Sequence, residues 1–592
     1  MRALLLIGIF FYSLFVNSQN EQKALQYFNN GEFEKALITY NKLYQVNNGN
    51  TNYLLKIIEV HQQLEHFDIA EKLLLQLIGR TKNPQYLVEL GYNFQLKNEH
   101  DKANDYYNLA VLKIDENPVF AFSIARRFER HALIDYAAKV YERAMKLKPE
   151  SNYYIQLARI YGEQGKVEKM FRSYVNFIDR NPAFISQSKR IFSDYISENA
   201  EDENNISLRK VLLKKIQDQP NIIWNQLLSW LFIQQRGYTK AFAQEKAIFK
   251  REQETILGIT DLAAITIKDG NRAISEEILR FVINNAFDLD TVLKAHKDLL
   301  ELETKYALKK DYYKIEQQYK SLLKDFGMLP QTIDFQISYA HFTAFYSNKP
   351  ETAIVFLKET LKIKASQFLL AKAKLKLGDI LVFQEKFNEA LIYFSQIQIS
   401  LKNSTISQEA RFRVAKTSYY KGDFKWAESQ LKILKSSTSQ LIANDALDLK
   451  LLISDNKYED SLHTALKLYA KADLMAFQNK TAKAISLLDK ILLEHKTETI
   501  IDQALYKQAQ LYENKQQFEK AEDNYLKIIA NYKEDILADD AYYALAELYL
   551  NHLAQPEKAK VLYEQIIFNH EDSIYFVEAR KKYRVLRGDT IN

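Results

Sequence analysis

The chain has 592 residues and no cysteine, and its 81 basic and 75 acidic side chains give a formal net charge of +6. The absence of cysteine excludes disulfides, thiolate catalysis, cysteine-ligated zinc and a lipid anchor on an N-terminal cysteine. Charges of both signs are interspersed without a long basic run. We therefore expect no binding to nucleic acid and no attachment to a membrane surface through charge.

The first 18 residues have the organisation of a signal peptide. Arg2 supplies a charged start, Leu4–Val16 is apolar, and small or tolerated residues lead up to Ser18. The apolar stretch, about 13 residues, is shorter than the roughly 20 that a membrane-spanning helix needs. We predict export with cleavage after Ser18, and no integral membrane segment in the mature protein.

An anchor residue, alanine in four of five cases, recurs through the first part of the chain. The anchors are Ala36, Ala70, Ala103, Ala137 and Met170, which lie 34, 33, 34 and 33 residues apart. In the last three units a small residue precedes the anchor by twelve positions (Gly91, Ala125, Ala158) and a tyrosine follows it by four (Tyr107, Tyr141, Tyr174). Small residues at two positions let two helices approach closely, and the rings fill the space beside them.

This period, with its small and aromatic positions, resembles the tetratricopeptide repeat (TPR) family. The resemblance implies an all-α fold, a TPR-like right-handed α-solenoid of stacked helix-turn-helix repeats. A single helix pair cannot bury its apolar face, so each repeat needs its neighbours for stability. The many tyrosine and phenylalanine residues, 38 and 34, are explained as ring positions of this repeated core.

A second array has a longer period. Its anchors are Ala353, Ala390 and Ala427, then Ala484, Ala521 and Ala559, with steps of 37 residues inside the first group and 37 and 38 inside the second. The step of 57 residues between the groups is not one repeat. We predict an inserted helix at Gln440–Ile453, a polar turn, and one long helix over Glu459–Gln478.

Between the arrays the pattern weakens. Provisional anchors are Ala241, Ala273 and Ile315, and Trp224 and Trp230, six residues apart on one predicted helix, are interpreted as core filling. The predicted domains are a signal peptide (1–18), an N-terminal TPR array with a 34-residue period (19–182), an irregular helical-pair middle region (183–327), a C-terminal TPR array with a 37-residue period (328–570), and a capping helix with a tail (571–592).

The C-terminal half is similar in style to periplasmic TPR proteins of the bacterial envelope, such as the Tol-Pal-associated type. The similarity lies in Asn531–Ala541, where a helix ends near an aromatic residue, a short linker follows, and a new helix opens on small residues. It implies a periplasmic or outer-membrane-associated protein of a Gram-negative bacterium. No binding residue is carried over from that family.

Motifs of catalysis are missing from the sequence. We find no phosphate-binding glycine loop, no nucleophile elbow and no zinc-protease helix, and His61 and His66 are too few and wrongly spaced for zinc. We therefore predict that the chain is not an enzyme and has no catalytic residue, metal or cofactor.

The inner surface of a TPR array is formed by the first helix of each pair. In repeats 3 to 5 the inner positions gather rings and guanidinium groups, and the predicted partner contacts are Tyr92, Phe122, Arg126, Arg130 and Arg159. Because arginine offers a planar fork of donors, such a groove suits an acidic or carboxylate-ending peptide. An ordinary solvated helix face is the competing interpretation of the same residues.

The leading functional hypothesis is an exported, non-catalytic scaffold that mediates protein–protein interactions in the cell envelope. Two alternatives are an accessory factor or enzyme with a ligand site in the irregular middle region, and a TPR sensor or regulator. The partner is expected to be a protein or a peptide. The sequence gives neither its identity nor the oligomeric state of the chain.

Overall fold

The computed structural model describes residues 20–252, 255–434, 439–457 and 462–589, and the predicted signal peptide lies outside these ranges. Within them all regular structure is helical, and there is no strand. The chain divides into two compact units, unit 1 up to Gly237 and unit 2 from Tyr238 onward. The all-α fold is confirmed, whereas the predicted domain boundaries remain predictions.

Unit 1 is a succession of short helices joined by tight turns. The helices are α1 (residues 20–29), α2 (Phe33–Val46), α3 (Thr51–Gln63), α4 (Phe67–Thr81), α5 (Gln85–Leu96), α6 (His100–Glu116), α7 (Ala121–Arg130), α8 (Ile134–Leu147), α9 (Tyr154–Glu163), α10 (Val167–Arg180), α11 (Ile185–Ser193), α12 (Glu203–Asp218) and α13 (Ile222–Gln234). Helices α3 to α10 pack as consecutive antiparallel pairs, α3 with α4 through α9 with α10.

Unit 2 continues the same architecture. Its helices are α14 (Tyr238–Arg251), α15 (Leu257–Lys268), α16 (Arg272–Asn285), α17 (Leu289–Tyr306), α18 (Tyr312–Phe326), α19 (Ile333–His341), α20 (Pro350–Thr360), α21 (Gln367–Phe383), α22 (Phe387–Ser400), α23 (Thr405–Lys421), α24 (Phe424–Leu434), α25 (Gln440–Asn456), α26 (Thr464–Phe477), α27 (Thr481–Glu494), α28 (Ile501–Asn514), α29 (Phe518–Asn531), α30 (Ala538–Asn551), α31 (Pro556–Asn569) and α32 (Phe576–Arg587). A π-helical turn, Phe342–Tyr346, extends α19. None of the described helices is both long enough and apolar enough to span a bilayer.

The anchor positions form the centre of every pair in the two arrays. All eleven anchors of the two arrays are at most 2% exposed. The small residues face rings, as the repeat requires. A Cβ atom added to Gly91 would lie 2.5 Å from the ring of Tyr107, and one added to Gly378 would lie 2.2 Å from the ring of Phe394. The predicted packing of small residues against rings is therefore confirmed.

A residue in the left-handed conformation lies five positions before each anchor. These residues are Gly31, Glu65, Asn98, Ala132 and Gly165 in unit 1, and Asn348, Glu385, Gly422, Asn479, Gln516 and Ala554 in unit 2, with φ between 52° and 82°. The conformation ends the first helix of a pair. After Ala132, for example, the backbone N–H of Leu133 donates to the carbonyl of Phe128 over 2.8 Å.

The same rule corrects one provisional anchor of the middle region. Ala273 is exposed, whereas Ser275 is fully buried and lies five positions after Gly270, whose φ is 73°. The anchor of that pair is therefore Ser275. Ala241 and Ile315 are buried as predicted, and Trp224 is fully buried, which confirms it as core. Trp230 is only partly buried, with its ring 6.5 Å from that of Phe192.

The insertion in the second array is a helix, as predicted. Helix α25 begins at Gln440 and extends to Asn456, so the expected polar turn is its last helical turn. Helix α26 begins only at Thr464; residues 458–461, part of the predicted long helix, lie outside the described residues. Helix α26 packs against α23, so the stack continues past the insertion.

The end of α26 also reaches back to the end of α21. The buried amide of Gln478 donates to the carbonyl of Phe383 over 2.9 Å and to the carboxylate of Glu385 over 3.2 Å. The ring of Phe477 packs with those of Phe383 and Tyr420, with centroid distances of 6.4 and 6.2 Å. The contacts with Phe383 and Glu385 join segments that are more than 90 residues apart in the sequence.

Candidate partner-binding groove

The five predicted contact residues lie on the first helices of three consecutive pairs. Tyr92 is on α5, Phe122, Arg126 and Arg130 are on α7, and Arg159 is on α9. Tyr92 is half-buried and the other four are exposed. Helices α5 and α7 pack against each other, and the repeat predicts that the first four residues share one face of unit 1. We call this face, together with Arg159, the inner groove.

Only two of the five line a true cleft. Tyr92 and Arg130 form part of a cleft of about 430 Å³ in unit 1, whereas Phe122, Arg126 and Arg159 lie outside it. Its walls come from α1, α2, α3, α5 and α7, which is further toward the N-terminus than the sequence indicated. The remaining lining residues are Glu21, Leu25, Tyr40, Asn52, Tyr53, Leu55, Lys56, Ile58, Glu59, Gln62, Gln63, Glu89, Arg127 and His131.

A buried carboxylate forms the floor of this cleft. Glu89 accepts a hydrogen bond from the guanidinium of Arg127 over 2.9 Å, and its second oxygen lies 2.9 Å from Nε2 of His131. Although burial acts to raise the pKa of Glu89, the hydrogen bond and charge of His131 and the charge of Arg127 bring it below its ordinary value. The ring of Tyr92 stacks on His131 at a centroid distance of 3.8 Å.

The wall opposite carries a second set of charges. Glu59 pairs with Lys56 at 2.8 Å and with Arg130 at 3.6 Å. Burial, together with the negative charges of Glu59 and Glu21, raises the pKa of the Tyr40 hydroxyl to about 12. Acids and bases in the cleft are thus largely matched to each other, and Arg130 is already engaged by a carboxylate of the same chain.

Arg126 and Arg159 differ from most neighbouring arginines. Arg127, Arg143 and Arg172 each pair with a carboxylate within 2.9 Å. Across the described residues, neither Arg126 nor Arg159 forms an ion pair, although both are exposed. The guanidinium of Arg126 lies over the ring of Phe122, 5.8 Å from its centroid. Two guanidinium groups at equivalent positions, 33 residues apart, are therefore available to an anionic partner.

Sequence reasoning missed the polar floor of the cleft. Glu89, Arg127 and His131 were not among the predicted residues, because each looks like an ordinary charged residue on its own helix. Their association depends on how α5 and α7 approach, which brings together residues 38 and 42 positions apart. A systematic search for opposite charges on consecutive first helices could have found the pair of Glu89 and Arg127.

The middle region also contains a cavity, which bears on the alternative of a ligand site there. Its volume is about 350 Å³ and it is lined by both apolar and polar side chains of α16, α17 and α18. The charged groups in its wall, Arg280 and Glu303, pair with each other at 2.9 Å. Burial lowers the pKa of His296, which also lines it. Trp224 is buried in the core of unit 1 and contributes no accessible surface.

Two segments of unit 2 match the profile of a known family. A profile of the tetratricopeptide repeat matches residues 503–535 and 540–573, which cover the pairs α28 with α29 and α30 with α31. The chain contains tetratricopeptide repeats. The two matched segments contain the anchors Ala521 and Ala559, which lie 38 residues apart, and the anchors of the helix pairs in unit 1 are buried in the same way.

Solved structures with similar chains include the APC/C hetero-tetramer Cut9-Hcn1, at 12% identity over 96% of each chain with a TM-score of 0.24. The structure of Naa15/Naa10 bound to HypK-THB matches at 11% identity over 97% of this chain and 94% of that chain, with a TM-score of 0.29. At such TM-scores neither likeness carries an argument about this chain. No curated protein matches the sequence. The closer resemblance to Tol-Pal-associated TPR proteins stays a prediction.

Proposed function

We propose that this chain is a TPR scaffold that binds an acidic segment of a partner protein along the inner groove of unit 1. The observation that carries the proposal is the pair of exposed guanidinium groups, Arg126 and Arg159, which no carboxylate of the described chain neutralises. Their equivalent positions on α7 and α9 give a repeated cationic site along an array. An extended acidic peptide has carboxylates at repeated intervals and can meet both.

The aromatic residues of the inner groove support the same proposal. Phe122 is exposed and holds Arg126 over its ring, which presents an apolar surface beside the charge. Tyr92 is fixed by stacking on His131, so its ring loses little conformational freedom on binding. Rigid rings next to arginine are the residue types that dominate binding energy at protein interfaces.

Arg130 has a secondary role in this proposal. Its pairing with Glu59 is 3.6 Å long and its side chain is half-exposed, so a partner carboxylate can compete for it at small cost. The exported location follows only from the predicted signal peptide. We propose that the scaffold works in the bacterial envelope, periplasmic or associated with the outer membrane.

Replacing Arg126 and Arg159 together by alanine should weaken partner binding at least tenfold and leave folding nearly unchanged. Each charge-assisted hydrogen bond contributes about 1.5–3 kcal/mol, and neither side chain contributes to the core. The measurement is affinity capture from an envelope extract with quantitative mass spectrometry, followed by titration of acidic peptides from the captured partner. Adding Arg130→Ala should weaken binding further.

The matched control removes the same charge from the second helices of the pairs. Arg143 on α8 and Arg172 on α10 pair with Asp115 and Glu168. Alanine at both positions changes the net charge equally and should leave capture at the wild-type level. If both double variants lose the partner to the same extent, general charge attraction explains the binding and the groove assignment is wrong.

A further inference from the structure

Unit 2 contains a cavity of about 460 Å³ between the loops that join successive helix pairs. It is bounded by the end of α25, the segment between α27 and α28, the start of α28, and the segment between α29 and α30. Tyr532 and Ile536 supply its apolar wall. We call it the acidic cavity.

Negative charge dominates the lining of the acidic cavity. Five carboxylates line it against one lysine, Lys496, so its formal charge is 1 − 5 = −4, although the whole chain carries +6. The carboxylates are those of Asp455, Glu498, Asp502, Glu534 and Asp535. Such an imbalance is uncommon in a chain whose acids and bases are otherwise interspersed, and it leaves the cavity attractive to a cation.

Asp502 is the most deeply buried carboxylate of the cavity, and its charge is not balanced by a basic side chain of the described residues. Its side chain lines the cavity while the residue is only 4% exposed. One carboxylate oxygen accepts a hydrogen bond from the backbone N–H of Gln503 over 2.6 Å. No basic side chain of the described residues pairs with it. Burial, and then the charges of Asp535 and Asp455, raise the pKa of Asp502 to about 6 despite that hydrogen bond.

Asp473, another deeply buried carboxylate of unit 2, provides the contrast. It is held between Lys416 at 2.7 Å and Lys507 at 2.8 Å. A buried carboxylate without such partners is costly, and the cost is removed when a cation enters and pairs with it. Asp502 is therefore a buried acid whose counter-charge is missing from the chain and whose open side faces a cavity.

We propose that the acidic cavity receives a lysine or arginine side chain presented by a partner protein. This site lies in unit 2 and does not depend on the groove of unit 1. Its volume falls within the range of pockets that hold small organic groups, and Tyr532 offers a ring to the aliphatic stem or to the charge of the guest. The guest cation would pair with Asp502 and with the exposed Asp535 at the mouth.

A divalent metal ion fits this arrangement less well. Calcium needs six to eight oxygens at about 2.3–2.6 Å, so its ligands must converge on one point. Across the described ranges, no group of three or more metal-ligating side chains is arranged to hold an ion. A cationic side chain tolerates carboxylates that are spread over a larger volume, because guanidinium and ammonium groups donate in several directions.

The test is calorimetric titration of the full chain at low salt and pH 7.5 with the acetylated peptide amide Arg-Arg-Arg. We expect saturable binding, and none with the matched peptide Gln-Gln-Gln. Asp502→Asn should weaken binding at least fivefold, and Asp535→Asn, at an exposed site, should weaken it in the same direction. The control is Asp523→Asn on α29, where the carboxylate is 65% exposed and pairs with Lys527; binding should not change.

The pH dependence of peptide binding provides a second readout. Because Asp502 takes up a proton as the pH falls through about 6, the affinity for Arg-Arg-Arg should drop between pH 7.5 and pH 5. Asp502→Asn should flatten much of this dependence, because the other charged groups around it are either exposed (Asp455, Lys496, Glu534 and Asp535) or, in the case of Glu498, paired with His495. The variant should fold, because it removes a buried charge that lacks a counter-ion.

Three results would overturn the proposal. Equal binding of the peptide by the wild type, Asp502→Asn and Asp535→Asn would assign the binding to general surface charge. Absence of binding to the wild type would show that the cavity does not accept a basic side chain. Calcium chloride that binds the wild type, is lost in Asp502→Asn and displaces the peptide would make the cavity an ion site instead.

Discussion

Replacing Ala137 by arginine should lower the local free energy of unfolding of helices α7 and α8 by at least about 3 kcal/mol. Ala137 is fully buried on α8, at the centre of its pair with α7. A long side chain there forces the helices apart, and its charge is left without a partner. Both costs act on the same contact, so the effect should exceed that of an ordinary core substitution.

Hydrogen exchange measured by mass spectrometry suits this prediction, because a stack of repeats does not unfold as one two-state unit. Faster exchange should be confined to α7, α8 and the neighbouring pairs. Lys146→Arg places the same guanidinium at an exposed position of α8 and should have no measurable effect, as should Arg580→Ala on the exposed side of α32. Similar exchange in all three variants would mean that the repeat register is wrong.

Removing the Asp473 carboxylate should be comparably damaging in unit 2. Asp473 on α26 bridges Lys416 on α23 and Lys507 on α28, so one buried group joins three first helices. In Asp473→Ala both lysines lose their counter-charge in a largely buried place, which costs on the order of 3–5 kcal/mol. This loss of stability is measured by urea unfolding, monitored by hydrogen exchange in α23, α26 and α28. Asp523→Asn, which breaks an exposed pair, should cost less than about 1 kcal/mol.

The same residue predicts a dependence on pH. Burial opposes ionisation of Asp473, but the charges of Lys416 and Lys507 prevail and lower its pKa from 3.8 to about 2. Because the folded pKa is below the unfolded value, this contribution is present above about pH 4 and is lost as the pH falls toward 2. The loss amounts to roughly 2 kcal/mol. If the stability difference between wild type and Asp473→Ala is the same at pH 2 and pH 6, the ion pairs do not stabilise the fold.

Much of the fold could be predicted because the packing of helix pairs constrains single positions. An alanine such as Ala390 is needed wherever two helices meet closely, and a ring such as Phe394 follows four residues later, so the period is visible in the sequence. The predicted repeat register is wrong at Ala273. The left-handed residue Gly270 sets the anchor five positions later, at the buried Ser275. The residues that adopt the left-handed conformation in these turns are of several types, so no single residue type in the sequence marks the position of the turn.

The site could be predicted only in part. The exposed arginines of the groove follow from repeat positions, because a side chain on the inner face of a first helix is placed by the period alone. The floor of the cleft and the acidic cavity do not follow from it. Glu89 meets His131, and Asp502 meets Asp455, through the approach of separate helices and loops, and no local pattern records which charges become partners.

The contact between Gln478 and Phe383 has a consequence for how the chain folds during synthesis. In an ordinary repeat protein each helix pair can dock on the pair synthesised just before it, and each new interface between neighbouring pairs adds to the stability. Here the carbonyl of Phe383 receives its amide donor only after 95 further residues have been made. The block from α21 to α26 should therefore complete its packing late and open as one cooperative segment, whereas the pairs of unit 1 can form in order.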